Sequence, residues 1–276
     1  MTMPVQILSQ EFPADHPWLP AWHKHFDQIN TIDDWRQVSS DQLVIAGSDV
    51  RSWYVRHWLN RGQPALYIGR GYVGNHTLKH RWLWRVSVNG WANTRLMPVP
   101  YCRWAVMNLP RHPWKVQQVK RVLIAPSKLT SLSWGHQTSE QWAEHMAAQF
   151  PGADVRIRYK ARKPWQRWQT LWDDLDWADL VVAQSSAITC EAFWYGKKVL
   201  STEPCPTWAC GDQRIEDWQD PAEPALRDAW HEHLAWSQYT VEEWTSGEAL
   251  RLVEQYTGSA LTYDPGHSYN FTAIEQ

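Results

Sequence analysis

Two hydroxyls and one carboxylate stand where a strand hands over to a helix. The stretch AQSSAITCEAFWYGKKVL, residues 183–200, follows an apolar run with Ser185 and Ser186, then sets Glu191 among Ala, Phe, Trp and Tyr. A helix opening at Ala187 presents unbonded backbone N–H groups and the positive end of its dipole. With two serine hydroxyls beside them, those groups form a cradle for a diphosphate. Glu191 lies four residues past Ala187, on the same face, and helical side chains lean toward the amino end. Its carboxylate therefore leans back to the mouth, where it can accept hydrogen bonds from a ribose diol. Each residue alone also has a plainer use. Ser185 serves as well as a helix N-cap, worth about 1 kcal/mol, and Glu191 can pair with a nearby Arg or Lys.

Open parallel sheets bind ligands beyond the carboxyl ends of their strands, so the elements around this stretch decide what joins it. RVLIAP reads as a buried strand and is followed by Ser127 and Lys128. TSEQWAEHMAAQF reads as a helix with a capping box, Thr138 to Gln141, and an apolar stripe of Trp142, Met146 and Phe150. DVRIRYK alternates Val155, Ile157 and Tyr159 with Arg156, Arg158 and Lys160, and leads to Arg162 and Lys163. WQRWQTLWDDL is amphipathic through Trp165, Trp168, Trp172 and Leu175, which leaves Asp173 and Asp174 to a solvated face. DLVVA is a strand ending on Gln184, Ser185 and Ser186; AITCEAFWYG is a helix stopped by Gly196; KKVLST is the next strand.

Upstream, Leu43 to Ala46 forms a short apolar run, Val50, Trp53, Tyr54 and Trp58 fall at helical spacing, and ALYIG is a second run. That is a βαβ unit. Residues 70–93 read as glycine-rich loops around a strand near Trp84 to Val88, and residues 1–38 as a segment wrapping the surface. PALRDAWHEHLAW and TVEEWTSGEALRLVEQY supply two closing helices, the second with a capping box at Thr240 and Glu243. Two strand–helix series, separated by the proline-containing stretch 97–117, imply an α/β fold of two Rossmann-like lobes whose parallel sheets face a cleft. The expected lobes are 1–117 and 118–222, with 223–276 packing across them.

Hydrophobic residues make up 43% of the chain and charged residues 20%, which admits a real core and excludes global disorder. The net charge of -2 carries no basic excess of the kind that marks tight nucleic-acid binding. The 22 tryptophans are expected chiefly in core positions, with a few free to stack on sugar or base faces. Cys102, Cys190, Cys205 and Cys210 form no CxxC pair, so no zinc site is expected, and Cys190 is expected to be buried and inert. With no apolar run of about 20 residues and no leader pattern, the expected setting is the cytoplasm, without membrane contact.

The segment DLVVAQSSAITCEAFWYGKKVLST resembles the strand–SS–xxxx–EA–xxx–G–x–PV segment of GT-B-fold glycosyltransferases, with Lys198 where that family has proline. The resemblance implies that Ser185 and Ser186 meet the diphosphate of a nucleotide sugar and Glu191 its ribose. A second resemblance runs from about Ile45 to Leu250. RGYVGNHTLKHRWLWRVSVNGWAN and HLAWSQYTVEEWTSGEAL are similar to segments of a phage-encoded group of GT-B-like proteins assigned to glycosyl transfer. This implies a GT-B-like architecture with the donor in the second lobe and the acceptor in the first. Donor-side candidates are then Ser127, Lys128, Arg158, Lys160, Gln184, Ser185, Ser186 and Glu191. Acceptor-side candidates are Arg70, Tyr72, Asn75 and Asn89. Transfer with inversion needs a general base: Asp49 is the first choice and His76 the second, although Asp49 equally suits a helix start and His76 a loop. No DxD-type motif follows a strand, so metal-independent chemistry is expected, with cations and helix N–H groups offsetting the leaving diphosphate.

The expected substrate is a nucleotide sugar, UDP-linked, with no other cofactor. The phage likeness implies a host-cytoplasmic setting and, as acceptor, a hydroxymethylated DNA base or a glycan. Two other readings fit the same motifs: a non-catalytic nucleotide- or glycan-binding protein, and a nucleotide-sugar epimerase.

Overall fold

The computed structural model describes residues 5–8, 12, 15–26, 28–34, 37, 43–47, 65–73, 83–88, 96, 99–115, 118–127, 138–159, 166–184, 186–203, 205–208, 210, 215–218 and 224–257. Its elements are, in chain order, β1 (Val5–Leu8), α1 (Leu19–His25), β2 (Ile29–Ile32), β3 (Leu43–Ala46), β4 (Ala65–Arg70), β5 (Leu83–Val88), α2 (Trp104–Met107), β6 (Arg121–Ala125), α3 (Ser139–Ala147), β7 (Asp154–Ile157), α4 (Gln166–Trp177), β8 (Leu180–Ala183), α5 (Ala187–Trp194), β9 (Lys198–Ser201), α6 (Pro224–Ala235), β10 (Gln238–Thr240), α7 (Val241–Ser246) and α8 (Glu248–Thr257). The chain divides into two compact units. The first comprises Met1–Asn93, Met97–Asn108 and Glu232–Gln276, and the second Thr94–Leu96 and Leu109–His231.

The sheet of the first unit runs β10-β5-β4-β3-β1-β2. Strands β2, β1, β3 and β4 are mutually parallel, and β5 and β10 extend the sheet by antiparallel pairing. Leu43, Val44 and Ile45 are all buried, the continuous apolar signature of a strand covered on both faces. Residues 1–38 depart from expectation. The described part does more than wrap the surface: β1 is an inner strand between β2 and β3, and Val5 and Ile7 are core residues. Trp18 and Trp22, beside and within α1, join Trp244 of α7 in one aromatic cluster, Trp18 stacking on Trp244 at 5.1 Å.

Described residues of both segments that carry the second resemblance hold this unit together. At Gly71 a Cβ would lie 2.8 Å from the Leu83 carbonyl oxygen, so the close passage of β5 demands glycine. The next amide, Tyr72 N–H, donates to the Gln238 carboxamide oxygen at 2.8 Å, so the RGY and WSQYT segments meet directly. Arg103 sits buried over the rings of Trp236 and Tyr239 and donates to Glu243 at 2.7 Å. The other Glu243 oxygen accepts from Thr240 N–H at 2.8 Å and completes the expected capping box. The closing helix is two helices, because Gly247 adopts a left-handed φ of 84° between α7 and α8.

In the second unit all four strands are parallel, in the order β7-β6-β8-β9. Val122, Ile124, Leu180, Val182 and Leu200 line one face and pack on Trp142, Met146 and Phe150 of α3 and its extension. The intervening Leu123, Val181 and Val199 are buried on the other face. Right-handed crossovers put α3 on the first face, and α4 and α5 on the second. Chain direction therefore reverses between β6 and β8, which makes the carboxyl ends of those strands the topological switch point of the sheet. The expected α/β fold with two Rossmann-like, mostly parallel sheets is the fold observed, and β2-β1-β3-β4 repeats the order of β7-β6-β8-β9.

Candidate functional site

The switch point of the second unit carries the residues that the motif singled out. Ser186, not Ser185, is the N-cap of α5. Its backbone is extended (φ -135°, ψ 142°), its Oγ accepts from Ile188 N–H, and its carbonyl accepts from the Thr189 hydroxyl at 2.8 Å. Ser185 lies outside the described residues. Ala187 is exposed, while every residue from Thr189 to Trp194 is buried. The helix is thus sunk into the unit with only its amino end at the surface. Glu191 sits one turn in and is 3% exposed.

The far end of α5 is fixed by a single cation. Arg227, on α6, donates to the carbonyls of Phe193 (3.1 Å), Trp194 (2.7 Å) and His112 (2.7 Å). Burial, then Asp228 in opposition, then Arg111 set its pKa below the usual value for arginine, yet a guanidinium remains charged. That charge faces the negative end of the helix dipole. Gly196 follows with φ +90°, where a Cβ would stand 2.2 Å from the Pro113 carbonyl oxygen. The tryptophan of this helix also has a partner, Trp194 Nε1 donating to the Pro110 carbonyl at 2.8 Å. Lys198 runs inside and donates to the Trp218 carbonyl at 2.9 Å.

Three strand ends are tied beneath the mouth of α5. Gln184, one residue past β8, is buried, and its Oε1 accepts from Ser127 N–H beyond β6 at 3.0 Å. The Ser201 hydroxyl at the end of β9 donates to the Gln184 carbonyl. The Ser127 carbonyl accepts in turn from the Ser139 hydroxyl at the start of α3.

Of the other expected residues, Arg158, Arg70 and Tyr72 are described. Arg158 donates to Asp174 at 2.5 Å, and Arg156 to the second Asp174 oxygen at 2.7 Å. Asp174 is accordingly a clasped, half-buried carboxylate rather than a solvated one. Arg70 is exposed at the end of β4. Tyr72 is buried, with the Arg85 guanidinium 4.7 Å from its ring centre, so its ring belongs to the interior of the first unit. Lys128, Lys160, Asp49, Asn75, His76 and Asn89 lie outside the described residues. Sequence reasoning missed Ser201 and Arg227. A hydroxyl ending an apolar strand was a visible cue for the first. Nothing local distinguished the second.

Two buried titrating groups in this unit lie away from the mouth of α5. Burial, reinforced by Arg227, Arg111 and His112, pushes the His231 pKa down to about 3, so the imidazole is neutral. Burial, then Lys115, lower Lys197 to about 8 against the pull of Asp176, while its ammonium donates to the Ala178 carbonyl at 2.7 Å. No three His, Cys, Asp or Glu side chains among the described residues group as metal ligands. No helix among the described residues is long and apolar enough to cross a membrane.

No family profile matches this chain, and no curated protein sequence matches it. Two solved structures from Thermosulfurimonas dismutans KpsC are similar in backbone course. The beta Kdo 2,7 transferase shares 10% identity at a TM-score of 0.47, covering 90% of this chain and 99% of that one. The beta Kdo 2,4 transferase shares 12% identity at a TM-score of 0.43, covering 92% of this chain and 98% of that one.

Proposed function

We propose that this chain is a glycosyltransferase that takes a sugar from a UDP-linked donor, with the nucleotide held at the carboxyl edge of the second unit's sheet. The observation that supports this reading is the amino end of α5. It is exposed at the switch point, capped by Ser186, and backed one turn deeper by the buried carboxylate of Glu191. The diphosphate is proposed to lie against the first amides of α5 and the Ser185 and Ser186 hydroxyls, and the ribose diol to donate to Glu191.

In the transfer, the acceptor oxygen bonds to the anomeric carbon as the bond from that carbon to the diphosphate breaks. Asp49, or His76 as second candidate, takes the acceptor's proton. Negative charge grows on the departing diphosphate, where fixed N–H dipoles and cations stabilise it without reorganising. Because Arg158 shares its charge with Asp174, Lys128 and Lys160 are the cations to test first. Backside attack gives inversion. Acceptor-side roles for Arg70, Asn75 and Asn89 belong to this proposal. So does the acceptor itself, a hydroxymethylated base in phage DNA or a glycan.

The test is incubation with a panel of UDP-, GDP-, ADP- and CMP-linked sugars, with and without hydroxymethylated DNA or a glycan mixture. Nucleotide release that requires an acceptor supports transfer. Conversion of the sugar nucleotide without acceptor identifies an epimerase, and binding without turnover a non-catalytic module; either result overturns the proposal.

A further inference from the structure

We propose that Gln184 is a positioning residue: it sets the phosphate-facing end of α5 by bridging the switch point, and it does not itself contact the donor. The inference rests on the donor-site reading above. Gln184 is buried and spends its carboxamide oxygen on Ser127 N–H, 57 residues away, at 3.0 Å. Its backbone carbonyl accepts from the Ser201 hydroxyl. Ser127, Gln184 and Ser201 follow or end β6, β8 and β9, three adjacent strands of the sheet.

The geometry explains why the bridge sits there. Helices on opposite faces leave from β6 and β8, so no covalent element spans the gap between these two strand ends. Backbone pairing between them stops at Ala125 and Ala183. Beyond that register, the Gln184 side chain replaces the missing ladder bond and joins the turn after β6 to the turn that enters α5. Two residues later Ser186 caps the helix. Rotation of the 184–186 backbone would swing the cap hydroxyl and the first amides together, and a diphosphate reads their mutual direction. A bridge that keeps these groups fixed removes reorganisation from binding.

The test uses the full chain and UDP as the probe. Gln184→Met keeps length and burial but offers no acceptor to Ser127 N–H. Loss of one part-buried hydrogen bond that orders the site is expected to weaken UDP binding by roughly 5- to 10-fold in calorimetry. Deuterium exchange across residues 183–190 should rise in parallel. Gln184→Glu keeps an acceptor at the same reach but adds charge under the diphosphate. Its UDP affinity should be poor at pH 8 and recover toward pH 5.5 as the buried carboxyl protonates, a profile that a purely structural role would not produce. Ser201→Ala loosens the bridge from its other side and serves if Gln184→Met does not fold. It should weaken UDP binding by roughly 3-fold, for loss of part of one neutral hydrogen bond. If wild type binds UDP and the variants bind it equally well, the role of Gln184 is overturned while the donor site stands. If wild type binds no UDP, the donor-site reading falls and this role with it.

Discussion

Replacing Arg227 with methionine tests how α5 is held. The guanidinium donates to three carbonyls, those of Phe193, Trp194 and His112. The Phe193 carbonyl also accepts from Gly196 N–H at 3.1 Å, so its loss is the least serious. The Trp194 and His112 carbonyls take the two shortest bonds, at 2.7 Å each. Leaving a buried acceptor unsatisfied costs about 1–3 kcal/mol. Two such losses, less the relief of no longer burying a cation, give about 2–4 kcal/mol of destabilisation. The assay is urea unfolding followed by tryptophan fluorescence, read on the transition of the second unit, since two units need not unfold together. Arg227→Lys should recover less than half of the loss, because one ammonium cannot reproduce a planar fork reaching three carbonyls. A midpoint for Arg227→Met that shifts by less than about 0.5 kcal/mol equivalent would refute the claim that this cation anchors the helix, since changes of that size are typical of plain surface sites.

Two further predictions concern pH. His231 is held neutral, with a folded pKa of about 3 against 6.5 when unfolded. The unfolded chain therefore binds a proton across that window that the folded chain does not, and stability falls as pH drops from 6.5 toward 3. Comparing wild type with His231→Gln at pH 7 and 4.5 by urea titration should assign roughly 2–3 kcal/mol of the acid loss to this residue; equal pH slopes would contradict it. Lys197 has a folded pKa of about 8 against 10.5. Again the unfolded state binds more protons between the two values, so stability gains a rising contribution from pH 8 upward. Lys197→Met should remove that rise between pH 7.5 and 9.5 in thermal melts. Tyr195, pushed up to about 12 by its bond to Asp176 and by burial, opposes it only above pH 10.

What the sequence discloses here depends on how local each feature is. Strand β8 and helix α5 were legible because a run of Leu, Val and Val, a serine pair and a closing Gly196 all act within one stretch of chain, although the cap fell to Ser186 and not to Ser185. The capping box of α3 is equally local, its Thr138 and Gln141 side chains bonding across three residues. Strands β1 and β2 were not legible: each has four residues, and their pairing with one another and with β3 supplies a stability that no window of the sequence contains. Strand β10 is shorter still and exists because β5 pairs with it. Asp174 looked solvated on helical spacing alone, because the arginines that clasp it come from β7 and the residue after it. The same division runs through the candidate site. Ser186 and Glu191 could be picked out by their spacing. The Gln184–Ser127 bridge and the Arg227 clamp join residues tens of positions apart, and only the folded sheet brings them together.

The central claim is that the mouth of α5 grips a nucleotide and that Glu191 grips its ribose. Calorimetric titration of UDP into wild type and into Glu191→Gln addresses it most directly. Loss of a charged acceptor for the ribose diol should weaken binding by about 10- to 100-fold. Equal affinity of the two proteins for UDP, or no heat of binding to either, would contradict the account.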